Sequence, residues 1–154
     1  MIKLKDILLE VKAPDIFIPR RTEDRVERMI KDYIRNNIKG NLDLSQMNLT
    51  VLPDILKNVT VDGNFFCYNN KLTSLENCPK TVGGSFDCSY NDLTSLAGSP
   101  SSVGRDFWCG VNDLTSLEFA PTNVGRDFDC IENQVKFTKE QVRAVCDVKG
   151  DIFV

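Results

Sequence analysis

Hydrophobic and polar residues along this chain follow two periods. Over residues 22–39, Val26, Met29, Ile30, Tyr33, Ile34 and Ile38 recur three or four apart with Glu, Arg, Lys and Asp between them, which predicts an amphipathic helix. Thr22 is its expected N-cap and Gly40 its expected stop. From residue 40 the spacing changes to alternation. Phe65-x-Cys67, Phe86-x-Cys88, Phe107-x-Cys109 and Phe128-x-Cys130 each direct two apolar side chains to one face of a short strand, and Leu42-Asp43-Leu44 is an earlier copy of the same pattern.

These strands recur at a fixed interval of about 21 residues. Leu72-Thr73-Ser74-Leu75, Leu93-Thr94-Ser95-Leu96 and Leu114-Thr115-Ser116-Leu117 keep the same step, as do Asn70, Asn91, Asn112 and Asn133, and Pro79, Pro100 and Pro121. A constant period of this length predicts one coil per repeat, with each coil stacked on the last. A degenerate first copy, Leu49-Thr50-Val51-Leu52, carries two extra residues before Val61 restores the register of Val82, Val103 and Val124, giving about five parallel strands. The Asn column can satisfy backbone groups where the chain leaves each strand, and Met47 in the first copy starts that ladder at Asn70. Gly83-Gly84, Gly104 and Gly125 precede the strands, where positive φ or close approach of neighbouring coils favours glycine.

At the far end Thr138-Lys139-Glu140-Gln141 reads as a capping box opening a helix to about Val148, with Val142, Val145 and Cys146 against the last coil. Residues 151–154 offer a final strand. The chain thus divides into an arm or leader (1–21), a helix over the first coil (22–39), the repeats (40–137) and a C-terminal cap (138–154).

The stretch Phe-x-Cys-x-x-Asn-x-Leu resembles the core of leucine-rich repeats. The short unit, with Leu-Thr-Ser-Leu followed by Pro, is most similar to repeats of bacterial effector proteins and of tailed-bacteriophage proteins. The resemblance spans about residues 40–137. It implies an α/β solenoid, a leucine-rich-repeat-like arc with a helical cap at each end, encoded by a phage or a bacterium. Phe and Cys stand where Leu is commoner. No catalytic domain of the kind some bacterial effectors carry accompanies these residues, so ligase activity is not part of the expectation.

Charge and chemistry narrow the function further. Residues 1–39 hold ten Lys/Arg against seven Asp/Glu, a net +3, whereas residues 40–154 hold nine against fifteen, a net −6. An acidic repeat region repels phosphate backbones, so a protein with a basic patch is the expected partner and nucleic acid is not. Four of the six cysteines share one inward column, the chain has no C-x-x-C pair, and it has no His. Packing is therefore the expected role of that column, with neither metal nor cofactor. Without His the commonest general base and nucleophile activator is missing, and the expected function is non-enzymatic. No long apolar run suggests a membrane span, and reduced thiols suit a cytoplasmic home, which for a phage protein is the host's.

In a leucine-rich repeat the residues alternating with the core form the concave binding surface. The central column would be Asp43, Phe66, Asp87, Trp108 and Asp129, flanked by Asp106 and Asp127 on one side and Tyr68 and Ile131 on the other. Phe66, Tyr68 and Trp108 are expected to be exposed anchors, with the carboxylates selecting a basic partner; the alternative is that the N-terminal arm covers them. The leading expectation is a protein-interaction module that binds, and inhibits or recruits, a host protein, as in counter-defence. Two alternatives stand beside it: a virion or assembly component that self-associates, and a cation or small-ligand scaffold using Asp87, Asp106, Asp127 and Asp129. Leu4, Ile7, Leu8 and Leu9 suggest a short N-terminal helix before Pro14 and Pro19; alternatively residues 1–10, ending Leu8-Leu9-Glu10, resemble the capsid-targeting leader of phage internal head proteins, and cleavage after Glu10 would send the protein into the virion.

Overall fold

A computed structural model describes residues 22–154. The arm or leader, with Glu10, lies outside the described residues. The described residues form short parallel strands in two sheets, the larger built from the alternating segments and the smaller from the stretches around Val82, Val103 and Val124. The larger sheet contains β1 (Leu42–Asp43), β2 (Phe65–Phe66), β4 (Phe86–Asp87), β6 (Phe107–Trp108), β8 (Phe128–Asp129) and β10 (Ile152–Phe153), hydrogen-bonded in that order. The smaller contains β3 (Thr81–Val82), β5 (Ser102–Val103), β7 (Asn123–Val124) and β9 (Asp147–Val148), again side by side in chain order. The pairing is the 21-residue step made physical: Phe65 pairs with Phe86, Phe86 with Phe107 and Phe107 with Phe128.

Among the described residues the main sheet holds six strands, five from the repeats and the expected final strand near the C-terminus. Ile152 pairs with Phe128 and Val148 with Val124, so each keeps the alignment at a step of 24 residues. The three added residues and the replacement of Phe-x-Cys by Ile-x-Val hide this last coil from a search at 21.

The core between the sheets is a set of columns. Phe65, Phe86, Phe107 and Phe128 are fully buried, with successive ring centroids 5.6, 5.5 and 5.1 Å apart. Each buried ring contributes roughly 2–3 kcal/mol of apolar burial, and stacking adds about 0.5–1.5 kcal/mol per pair. The Leu pairs of the turns and Val82, Val103 and Val124 complete the core. All six cysteines are free and buried. Cys88 and Cys109 each direct a thiol at the backbone carbonyl of the next strand, Trp108 O at 3.5 Å and Asp129 O at 3.3 Å.

The Asn column joins coils in pairs. Asn112 Oδ1 accepts from Leu93 N–H at 3.1 Å, while its Nδ2 donates to Cys88 O in the preceding coil and to Cys109 O and Gly110 O in its own. Asn91 repeats the arrangement, and Asn70 reaches back to Met47 N, Leu49 N and Leu44 O. Because every such Asn serves the coil before it, the first coil needs none, which explains Met47. The Gly column acts by close approach: a Cβ on Gly104 would overlap the carbonyl oxygen of Gly83.

Both helices are present and shorter than expected. Helix α1 (Thr22–Arg35) buries Val26, Ile30 and Tyr33 in the common core, near the 3-10 turn at Asp54–Asn58. It ends before Gly40 because Asn37 takes a left-handed conformation (φ 46°), with Asn37 N–H donating to Ile34 O and Ile38 N–H to Tyr33 O. Beyond that stop Ile38 is 45% exposed, and Ile34, on the outer side of the helix, is 47% exposed, so neither joins the buried stripe. Helix α2 (Lys139–Val145) opens on the expected capping box between Thr138 and Gln141. It stops at Cys146, whose extended backbone leads into β9, and while Val142 and Cys146 are buried, Val145 faces outward.

Candidate functional site

The face of the six-stranded sheet turned away from the core carries the central column. Asp43, Phe66, Asp87, Trp108, Asp129 and Phe153 lie in register across it. Phe153, 47% exposed, is a further member: residues 151–154 form the expected final strand, but its 24-residue step keeps Phe153 out of the expected column. Phe66, Trp108, Asp87 and Asp129 are half-buried rather than exposed, since each lies between side chains on neighbouring strands; Asp43 is exposed.

The sheet divides the aromatics into two groups. Phe66 and Tyr68 meet edge to face with centroids 6.2 Å apart on β2 and its extension. Trp108 lies two strands away, with Asp87 between it and Phe66. Around Trp108 the surface dips into a recess of about 230 Å³ lined by Asp87, Ser89, Tyr90, Gly110, Val111, Asp129 and Ile131. Gly110 stands in the column of Ser45, Tyr68, Ser89 and Ile131, and the missing Cβ lets Asp129 and Ile131 pack close: it would lie 3.1 Å from Asp129 Oδ1 and 3.2 Å from Ile131 O.

The carboxylates of the central column are held by their own strands. Asp43 Oδ1 accepts from Ser45 N–H at 2.9 Å, Asp87 Oδ1 from Ser89 N–H at 2.9 Å and Asp129 Oδ1 from Ile131 N–H at 2.9 Å. The Ser89 hydroxyl also donates to Asp87. Burial still pushes the Asp87 carboxyl above its usual range, and the charge of Asp129 pushes the same way, against the two Ser89 hydrogen bonds. Among the described residues neither Asp87 nor Asp129 has an ion-pair partner.

Asp106 and Asp127 occupy a different environment from the one expected of an exposed binding flank. Asp106 is only 5% exposed. Its Oδ2 accepts from Ser85 Oγ at 2.8 Å, its Oδ1 accepts from Asp127 N–H at 3.3 Å, and Arg126 Nε lies 3.5 Å away. Asp127 Oδ1 in turn accepts from Asp151 N–H at 2.9 Å. Asn41 and Asn64 do the same for Asn64 N and Ser85 N. This flank is therefore a ladder in which one side chain satisfies the next coil's backbone, and Asp106 belongs to the scaffold. The signal was present in the sequence as a column of short acceptors, Asn41, Asn64, Ser85, Asp106 and Asp127, all able to cap an amide.

The four carboxylates of the scaffold alternative do not converge, and among the described residues no group of three or more His, Cys, Asp or Glu is placed to hold a metal. No helix among them is long and apolar enough to cross a membrane. No known protein family, curated protein or solved structure matches this chain.

Proposed function

We propose that this chain is a non-enzymatic protein-interaction module: a leucine-rich-repeat-like solenoid, closed by α1 and α2, whose outward sheet face binds a partner protein with a basic patch. The observation that carries the reading is Trp108, half-buried in a recess of the sheet with a carboxylate in register on either side. Binding energy concentrates in a few aromatic anchors, and surrounding charge selects the partner. Every carboxylate of the central column is oriented by its own backbone, so the surface is preorganised and little side-chain entropy is lost on binding. The resemblance to phage and bacterial repeats makes the partner a bacterial host protein, inhibited or recruited in the host cytoplasm.

The test is capture from bacterial lysate on the immobilised protein, beside a Phe66→Ala/Trp108→Ala variant with an unchanged far-ultraviolet spectrum. A protein retained by the parent and lost by the variant supports the reading. Equal retention by both overturns the assignment to this face.

A second reading, self-assembly as a virion component, draws on the open edge of the sheet. Among the described residues strand β10 pairs on one side only, with β8, and carries the exposed Phe153. An unpaired strand edge is a template for pairing with another copy. Light scattering that shows mass rising with concentration, reversed by Phe153→Lys, would favour this reading.

A further inference from the structure

We propose that the recess around Trp108 is an arginine receptor, whose occupant is one arginine side chain of the partner protein, its guanidinium lying on the indole and donating to Asp87 and Asp129. The proposal rests on the sheet-face reading and specifies the partner's chemistry. Three observations carry it.

The first is geometry. Asp87 and Asp129 lie on the two strands that flank that of Trp108, in its register. Neighbouring strands are about 4.8 Å apart, so the carboxylates approach the recess from opposite sides across a backbone span of about 10 Å. A guanidinium is planar, with donors on both edges, and each charge-assisted hydrogen bond needs about 2.7–2.9 Å. It can donate left and right while its face rests on the ring; a lysine ammonium is a compact, strongly hydrated point charge that cannot do both.

The second is room. The recess of about 230 Å³ is lined by Trp108 together with Asp87 and Asp129. The third is uncompensated charge. Both carboxylates are half-buried and neither is ion-paired among the described residues, whereas Asp106, the buried carboxylate of the scaffold, has Arg126 beside it. A cation entering the recess supplies what the protein supplies for Asp106.

Trp108 is the only tryptophan of the chain, so its fluorescence reports on this recess alone. The full chain is titrated at constant ionic strength with the blocked tripeptide Gly-Arg-Gly, with its citrulline analogue, which keeps the shape and loses the charge, and with Gly-Lys-Gly. The expected result is a saturable change with the arginine peptide and at least tenfold weaker responses to the other two. Asp87→Asn/Asp129→Asn, which keeps an acceptor for each local amide, should weaken the arginine response at least tenfold with the melting transition intact. Equal titration by arginine and citrulline peptides, an unaffected Asn variant, or no saturable change to 100 mM peptide would each overturn the proposal. The lysate capture separates the two readings: a partner lost by Phe66→Ala/Trp108→Ala but kept by Asp87→Asn/Asp129→Asn leaves the face standing and removes the arginine.

Discussion

Asp87 and Asp129 occupy equivalent positions on strands two apart, and the residue in register between them is Trp108. Each carboxylate accepts from an amide two residues on, which orients it. Burial of the Asp87 charge opposes folding, and the charge of Asp129 adds to it in the same direction.

That tension gives a pH prediction. The folded-state pKa of Asp87 is raised, mainly by burial. The penalty is therefore fully present above the folded pKa, shrinks as pH falls through it, because the native state takes the proton first, and is gone below the unfolded value. Asp87→Asn should raise the urea midpoint at pH 7, and the difference from the parent should close as pH falls through the carboxylate range. An Asn variant less stable than the parent at pH 7 would show that the Ser89 hydrogen bonds outweigh burial.

Asp106 should behave in the opposite way. Asp106→Ala leaves Ser85 Oγ and Asp127 N–H without their acceptor in a buried setting, a loss of about 1–3 kcal/mol. Urea unfolding should show this destabilisation, while the folded fraction responds to the arginine peptide as the parent does.

Asn112 connects two coils through one accepted and three donated hydrogen bonds. Truncation to Ala orphans the Leu93 amide, while Cys88 O, Cys109 O and Gly110 O each keep a second donor in Asn91, Asn133 and Tyr90 N–H, so the loss should be about 1–3 kcal/mol. Replacing Asn112 by Asp, of the same shape, returns the acceptor but sets a carboxylate oxygen against the carbonyls of Cys88, Cys109 and Gly110, so it should recover little. An Asp variant as stable as the parent would show that the donated hydrogen bonds contribute nothing.

The thiols should be silent in the native state. Burial raises Cys67, Cys88 and Cys109 well above the ordinary range, Cys130 to about 12 and Cys146 to about 11. The thiolate is the reactive form, so an aromatic disulfide reagent at pH 8 should label these sites no faster than the protein unfolds. All six cysteines should react at once in urea. Rapid native labelling of any of the three innermost thiols would contradict the packing.

Phe119 shares a column with Asn77 and Gly98, all at positive φ (66°, 68° and 91°). Asn and Gly adopt this conformation readily; for other residues it costs about 1–2 kcal/mol. Phe119 is also 58% exposed, so burial recovers little of the cost. Phe119→Asn should raise stability by about 1 kcal/mol, as measured by the urea midpoint.

Local periodicity was sufficient for most of the scaffold. Alternation in Phe-x-Cys, the 21-residue step and the Thr138–Gln141 capping box each depend on neighbours along the chain, and they placed the strands of the larger sheet, the parallel register of the inner coils and the start of α2, but not the four-stranded second sheet. The outward column from Asp43 to Asp129 was legible for the same reason: one register determines both faces of a strand. Only the tertiary structure decided the rest. A strand at residues 151–154 was legible, but its pairing with β8 in register across a 24-residue step was not. Helix α1 stopped at an asparagine whose left-handed turn the apolar spacing did not signal. Asp106 and Asp129 read alike as carboxylates beside a core strand, yet one caps the next coil and the other borders an open recess, because that difference depends on which backbone amide a neighbouring coil brings within reach.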